Sequence, residues 1–272
     1  MRTVTLNNGV NIPMIGLGVF RTPDGETAAN CVRWALETGY GHIDTAALYD
    51  NETGVGMGMK ESGLKREEIF LTTKVWNDDI RAGKTREAFE ASLKRLDVDY
   101  VDLYLIHWPA DGFEQAWKEM ERLYEEGMIR AIGVSNFNPH HIERIDAIGN
   151  VEPAVNQIES NPYFQNQDVI DYCLQRGIYV EAWSPLGGAG GDIRVDATLT
   201  EIGGKYGKSP VQVIVRWNLQ RGVIVLPKSA HKERIEANFD VEDFTLTEEE
   251  MRKIRNLDQN MRTGADPENF PF

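Results

Sequence analysis

The 272-residue sequence holds only two cysteines, Cys31 and Cys173. That is too few for a disulfide framework, and neither has a partner at metal-ligand spacing. A reducing, cytoplasmic environment is expected. Long hydrophobic runs are also missing. No stretch approaches the roughly 20 apolar residues needed to span a bilayer, and the start, MRTVTLNNGVNIP, has no signal-peptide core. Basic charge is scarce: 29 Lys and Arg face 43 Asp and Glu, for a formal net charge of −14. Nucleic acid and anionic membranes select positive surfaces, so neither is expected as a partner. A solvated acidic surface, or adaptation to salt, accounts for the sign. There is no Walker loop, and neither Ser135 nor Ser184 stands in a Gly-x-Ser-x-Gly elbow. Gly54, Gly56 and Gly58 have the wrong spacing for a Rossmann fingerprint. His140 and His141 are adjacent, so a helix should point them to different faces, and no metal site is expected.

What is present is alternation. Eight short apolar runs recur: MIGLGVF, GHIDT, IFLTTKV, VDLYLIH, IRAIGVS, PAVNQIE, IYVEAWS and GVIVLPK. They are rich in β-branched residues and mostly unalternating, as strands buried on both faces should be. Seven helix-like segments lie between them, ETAANCVRWALETG being the first, and many end in glycine. Strand-to-strand spacing is about 25 to 30 residues, the size of a βα unit. The expected fold is α/β, a closed (β/α)8 TIM barrel, with residues 1–272 as one domain. VTLNNGVNIP reads as a hairpin with Asn-Gly turn chemistry between Leu6 and Ile12. The segment from Ser184 to Gly222 is too long for one unit; it holds the Gly-rich GGAGG and two helical segments. The tail, TGADPENFPF, is expected to strap over one face.

In such barrels the active site lies at the C-terminal ends of the strands. Polar residues end most of these strands: Asp44, Lys74, His107, Ser135-Asn136, Gln157, Trp183-Ser184 and Lys228-Ser229. Asp44 and Lys74 fall on adjacent strands and can pair, which offsets the cost of a buried carboxylate. Tyr49 follows Asp44 by five residues. A lysine ammonium beside that phenol favours the phenolate, so its pKa is expected to fall from about 10 towards the working pH. Such a tyrosine can give a proton to a developing alkoxide, and His107 can hydrogen-bond a carbonyl oxygen.

GHIDTAALYDNETGVG, LTTKVW, LYLIHWP, IRAIGVSNF, VNQIE, EAWSPLG and LPKSAHKERIEAN together resemble the aldo-keto reductase superfamily, nearest to its bacterial diketogluconate and methylglyoxal reductase-like branch. The resemblance runs from about Val4 to the C-terminal end. It implies a barrel whose N-terminal hairpin covers the bottom, and reversible NADPH-dependent reduction of aldehydes and ketones. It assigns the catalytic tetrad to Asp44, Tyr49, Lys74 and His107, with Tyr49 as general acid, Lys74 lowering its pKa, Asp44 holding Lys74 and His107 orienting the carbonyl. Ser135, Asn136 and Gln157 would hold the nicotinamide carboxamide and Trp183 would stack on the ring. Ser184, Leu186 and Gly188 would line the pyrophosphate beneath the GGAGG loop, and Val19, Phe20, Asp44 and Pro185 would also contact the cofactor. Lys228, Ser229 and Arg234 would meet the 2′-phosphate, which favours NADPH over NADH, with Asn238 on the adenine side. The chain departs from the family pattern at Gly41, Asn161, Trp183 and Ala237. The last stands where a glutamate often contacts the adenosine.

The loop PADGFEQAW and the tail are short, so the substrate pocket is expected to be open, with Phe20, Tyr49, Trp76, His107 and Trp108 around it. The expected substrates are small carbonyls: α-oxoaldehydes, aryl aldehydes, keto sugars. Two other readings stand against this one. A cofactor-binding regulatory or structural barrel, as some superfamily members are, would not need an intact tetrad. A phosphate-handling isomerase would need a paired glutamate base that the sequence lacks. A monomer is expected.

Overall fold

A hairpin and eight parallel strands follow one another along the chain. The computed structural model describes residues 2–188 and 192–272. Strands β1 (Thr3–Thr5) and β2 (Asn11–Pro13) pair antiparallel, with Thr3 opposite Pro13. Gly9, at φ 85°, makes the turn, where Leu6 N donates to Val10 O at 2.8 Å. Strands β3 (Leu17–Gly18), β4 (His42–Asp44), β5 (Phe70–Val75), β6 (Val101–Ile106), β7 (Ile129–Ser135), β8 (Val155–Glu159), β9 (Tyr179–Trp183) and β10 (Ile224–Val225) then run parallel in sequence order. A parallel bridge between Ile15 and Val225 joins the last strand to the first. Gly16 N donates to Val225 O at 3.0 Å and Val225 N to Met14 O at 2.9 Å. The sheet therefore closes into the expected barrel.

Helices α1 (Glu26–Thr38), α2 (Glu52–Glu61), α3 (Asn77–Arg81), α4 (Thr85–Leu96), α5 (Phe113–Glu125), α6 (Pro139–Asp146) and α7 (Gln167–Gln175) follow β3 to β8. After β9 come α8 (Ala197–Tyr206) and α9 (Pro210–Gln220), the two helices expected in the long segment. Then α10 (Lys232–Phe239) and α11 (Glu248–Arg255) follow β10. Gly54 and Gly58 let α2 approach α1: a Cβ at Gly54 would stand 2.7 Å from Gly25 O, and one at Gly58 would collide with Ala29 O. Those glycines serve helix packing. None of the described helices is long and apolar enough to cross a membrane.

Every residue of β5 and β6 is buried, which explains their unbroken apolar character. Two cores result. The larger lies between barrel and helices. The smaller fills the barrel's lower interior, where Leu6 and Ile12 of the hairpin meet Phe70, Leu103, Leu105, Val155 and Ile224. The hairpin thus covers the N-terminal end.

Candidate active site

The strand register sets the site. Asp44 stands opposite Thr72, so Lys74, two residues further along β5, shares its inward face. Lys74 Nζ lies 2.8 Å from both Asp44 carboxylate oxygens and donates to Thr45 O at 2.8 Å and Tyr49 Oη at 3.3 Å. Its side chain is wholly buried. Tyr49 ends a 3₁₀ turn, Ala47–Tyr49, between β4 and α2. Asn51 pins that turn from below: Nδ2 donates to Val19 O and Thr22 O, and Oδ1 accepts from Thr45 Oγ1. The Tyr49 ring meets His107 edge-on at 5.6 Å, centroid to centroid. Asp44, Tyr49, Lys74 and His107 thus converge at the C-terminal rim.

The pKa shifts correct one expectation. Tyr49 does not fall towards neutrality but rises above its ordinary value. Burial penalises the phenolate more than Lys74 favours it, and the Asp44 carboxylate adds to the rise. Charge proximity alone suggested the opposite sign, because it ignored both desolvation and the partner that already balances the lysine. Burial by itself would lower Lys74, but Asp44 and then Tyr49 outweigh it, so the ammonium is held. Burial, then Lys74, holds His107 well below its ordinary value, so it is a neutral imidazole.

Around this group lie the other residues singled out from the sequence. Asn136 (φ 64°) and Ser184 (φ 47°) adopt left-handed backbone at strand ends. Such conformations concentrate at functional sites. Asn136 Nδ2 donates to His107 O and Ser135 Oγ, and its Oδ1 accepts from Trp183 Nε1 at 2.8 Å. Ser135 Oγ donates to Gln157 O at 2.8 Å. Gln157 Nε2 donates to Asp44 Oδ2 and Glu181 Oε2, each at 2.8 Å. Among the described residues nothing donates to Gln157 Oε1, although the side chain is buried. Val19 is buried, while Phe20 is 49% exposed and packs on Tyr49 at 5.0 Å. Pro185 is buried, Leu186 half-buried and Gly188 exposed at φ 63°. Ala189, Gly190 and Gly191 of the glycine-rich stretch lie outside the described residues.

At the far end, Ser229 Oγ accepts from His231 N just before α10 begins. Lys228 and Arg234 are exposed and Asn238 is buried. Neither Lys228 nor Arg234 forms an ion pair among the described residues.

Two expectations change with the tail. It straps the rim, as expected. Glu159, at the end of β8, receives Thr263 N at 2.7 Å, Thr263 Oγ1 at 2.5 Å and Gly264 N at 3.1 Å. Gly264 lies so close to the Trp183 ring that a Cβ there would collide with it. The pocket is less open than the short loops suggested. Phe272 stacks on Trp76 at 5.6 Å, and Phe270 and Phe272 both pack on Trp108, which is nearly buried. Trp76 also meets His107 edge-on at 5.2 Å. The second change concerns His140 and His141. Their rings do not diverge but lie 3.9 Å apart, beside Glu268 of the tail. His141 Nδ1 accepts from Asn138 N and so is committed to capping α6.

Asn51, Glu159, Glu181 and the tail phenylalanines were not anticipated. Glu181 had a signal, a carboxylate inside the apolar run IYVEAW and two residues before Trp183, on the same face. Asn51 and Glu159 had none, because their partners come from distant segments.

The sequence model of the aldo/keto reductase family matches residues 14–259. The chain is 52% identical over 269 residues to a 9,11-endoperoxide prostaglandin H2 reductase of Trypanosoma cruzi, covering 98% of this chain and 95% of that one. It is 49% identical over 271 residues to a glyoxal reductase of Bacillus subtilis, covering 99% and 98%. Among solved structures, an aldo-keto reductase from a Medee basin deep-sea metagenome library superimposes with a TM-score of 0.96 at 44% identity, covering 99% of this chain and 100% of that one. Barrel and relatives agree: the chain belongs to the aldo/keto reductase family, as an NAD(P)H-dependent oxidoreductase of its bacterial diketogluconate/methylglyoxal reductase-like branch.

Proposed function

We propose that this enzyme reduces small aldehydes and ketones, α-oxoaldehydes foremost, with NADPH as reductant and Tyr49 as general acid. The observation that carries the reading is the Lys74 ammonium bridging Asp44 and the Tyr49 hydroxyl, with the neutral His107 ring beside the phenol. A carbonyl oxygen set between Tyr49 Oη and the His107 imidazole would accept a hydrogen bond from each. The raised pKa keeps the proton on Tyr49 in the resting enzyme, ready to move as alkoxide charge develops. Lys74 then stabilises the phenolate left behind, while Asp44 and Thr45 O keep the ammonium in place. His107, being neutral, orients the carbonyl without competing for the proton.

Bound NADPH would supply the hydride. The residues present fit it. Among the described residues Gln157 Oε1 is an acceptor without a donor, and Asn136 Oδ1 keeps a second lone pair, so both can receive a carboxamide N–H. Trp183, half-buried, would flank the ring. Val19 and Phe20 would border the nicotinamide, and the loop from Ser184 through Pro185 and Leu186 to Gly188 would border the pyrophosphate. The unpaired Lys228 and Arg234, with Ser229 at the start of α10, offer charge and hydrogen bonds to a 2′-phosphate. Phe20, Trp76 and Trp108, with the tail phenylalanines, would wall an apolar substrate space, which supports small carbonyls. The glyoxal reductase relative supports the same class.

The test follows NADPH oxidation with methylglyoxal and 4-nitrobenzaldehyde, comparing wild type with Tyr49→Phe. The variant should lose about 10²- to 10⁴-fold in kcat while its affinity for NADPH is kept. A wild-type protein that binds NADPH yet turns over no carbonyl in a broad panel would overturn the reading in favour of a regulatory barrel.

A further inference from the structure

Glu181 is a fully buried acid that the chemistry above does not use. It stands on β9 directly opposite Gln157 of β8, so the two side chains share a face of the sheet. An amide nitrogen carries two protons. In Gln157 one goes to Asp44 Oδ2 and the other to Glu181 Oε2, each at 2.8 Å. Carboxyl groups from two strands therefore grip one –NH2 and fix the plane of the whole amide. Held by Asp44 alone, the amide would be free to swing about that single bond, and its oxygen would swing with it. On the reading that Gln157 Oε1 receives the carboxamide N–H of the cofactor, we infer that Glu181 is a positioning residue. It locks the Gln157 amide and so sets the orientation of the nicotinamide.

The surroundings decide the state in which Glu181 does this. Asp44 and His42 face it from β4, Lys74 from β5 and Gln157 from β8; its neighbour in register on β10 is Ile224. Lys74 is already engaged by Asp44, so a second buried anion would lack a counter-charge. Burial, then Asp44, push the Glu181 pKa up to about 8, against the pull of Gln157 and Lys74. Among the described residues its Oε1 has no partner and lies 3.9 Å from His42 Nε2, and His42 is itself neutral. A neutral acid here accepts through Oε2 much as a neutral amide would. Glutamine is therefore the conservative replacement, and leucine removes the acceptor.

The experiment titrates wild type, Glu181→Gln, Glu181→Leu and Gln157→Leu with NADP⁺ and with its 3-acetylpyridine analogue. In the analogue a methyl group replaces the carboxamide –NH2. Binding is read by quenching of tryptophan fluorescence, and folding by circular dichroism and thermal melting. Wild type and Glu181→Gln should prefer NADP⁺ by about 10²-fold, the worth of the two hydrogen bonds that the –NH2 gives to Gln157 Oε1 and Asn136 Oδ1. Glu181→Leu should narrow the preference to about tenfold, the share of Asn136 alone, while remaining folded, an outcome that a merely structural role would not produce. Glu181→Met, which also lacks an acceptor, replaces it should the leucine variant not fold. A Glu181→Leu protein with the full preference overturns the inference. In that case Gln157→Leu separates the causes. If it narrows the preference, the carboxamide assignment stands and only the role of Glu181 falls; if it keeps the full preference, the carboxamide assignment has failed and the inference with it.

Discussion

The two ends of the barrel are built from the same eight strands and are chemically opposite. At the bottom, Leu6 and Ile12 of the hairpin close the interior against Phe70, Leu103, Leu105 and Val155. At the top, Asp44, Lys74, Gln157 and Glu181 fill the same inward-facing column with charge and amide groups. Hydrocarbon needs no partner, so the bottom can be sealed by sequence-local pieces. The top must match its donors with acceptors, and it does so for several where strands end and loops turn in: Thr45 O takes a proton of Lys74, and His107 O takes one of Asn136. The contrast is cooperative. A dry plug below keeps water from reaching Lys74 from beneath, and in low dielectric the Lys74–Asp44 and Lys74–Tyr49 interactions count for more than they would in water.

The largest break in this contrast is Lys74→Met. It removes the cation that balances Asp44 and stabilises the Tyr49 phenolate. We expect kcat/KM to fall by at least about 10³-fold, and stability by about 3–5 kcal/mol because a buried carboxylate is left uncompensated. Steady-state kinetics and urea unfolding measure the two. The matching change at the bottom is Ile12→Ala. Its cavity should cost about 2–5 kcal/mol, with kcat/KM within about twofold of wild type. A large kinetic loss in this variant would show that the plug tunes the chemistry as well as holding the fold.

The same division governs what could be read without coordinates. Doubly buried strands advertise themselves, and all eight barrel runs fall where expected, although β3 and β10 pair over only two residues each before the chain turns away. The tetrad was visible because polar residues end greasy strands. Helices α10 and α11 were not foreseen. Helix α11 is short and strongly charged, with an apolar stripe of only Met251 and Ile254, yet Thr247 and Glu250 carry a capping box that marked its start. Long-range partnerships were invisible. Nothing near Asn51 announces that it holds the carbonyls of Val19 and Thr22, and nothing in the tail announces that Phe272 will stack on Trp76. The direction of the Tyr49 shift failed for a related reason. A sequence reports which charges are near, while burial decides how much they matter.

A subtler test works within the polar end. Folded Glu181 keeps its proton up to about pH 8, whereas an unfolded glutamate releases it near 4.5. Its stabilising contribution is complete below 4.5 and is lost as pH rises towards 8. His42 runs the other way. With a folded value of about 3 against 6.5 unfolded, its contribution is full above 6.5 and is lost on acidification. His141, lowered to about 4, behaves likewise. Glu181→Gln deletes only the first dependence. The stability of wild type relative to this variant should therefore decline as pH rises from about 5 to about 8, by at most about 1.4 kcal/mol per unit. Urea midpoints across that range read the slope. A flat difference would mean that Glu181 is ionised in the folded protein.

The smallest expected effect turns on how each end treats its cations. At the bottom, Asp102 takes Arg66 and Arg130 at 2.7 Å each, so arginine there is architecture. At the rim, Arg234 is exposed and has no carboxylate among the described residues. If the rim keeps that cation for a ligand, Arg234→Ala should leave stability within about 0.5 kcal/mol. It should raise the apparent KM for NADPH about tenfold, the worth of a charge-assisted hydrogen bond, and that for NADH less than about twofold. Arg66→Ala should do the reverse, lowering the melting temperature with no change in cofactor preference. Equal penalties for NADPH and NADH in Arg234→Ala would remove the 2′-phosphate contact, because a cation that serves both cofactors alike cannot be reading the one group by which they differ.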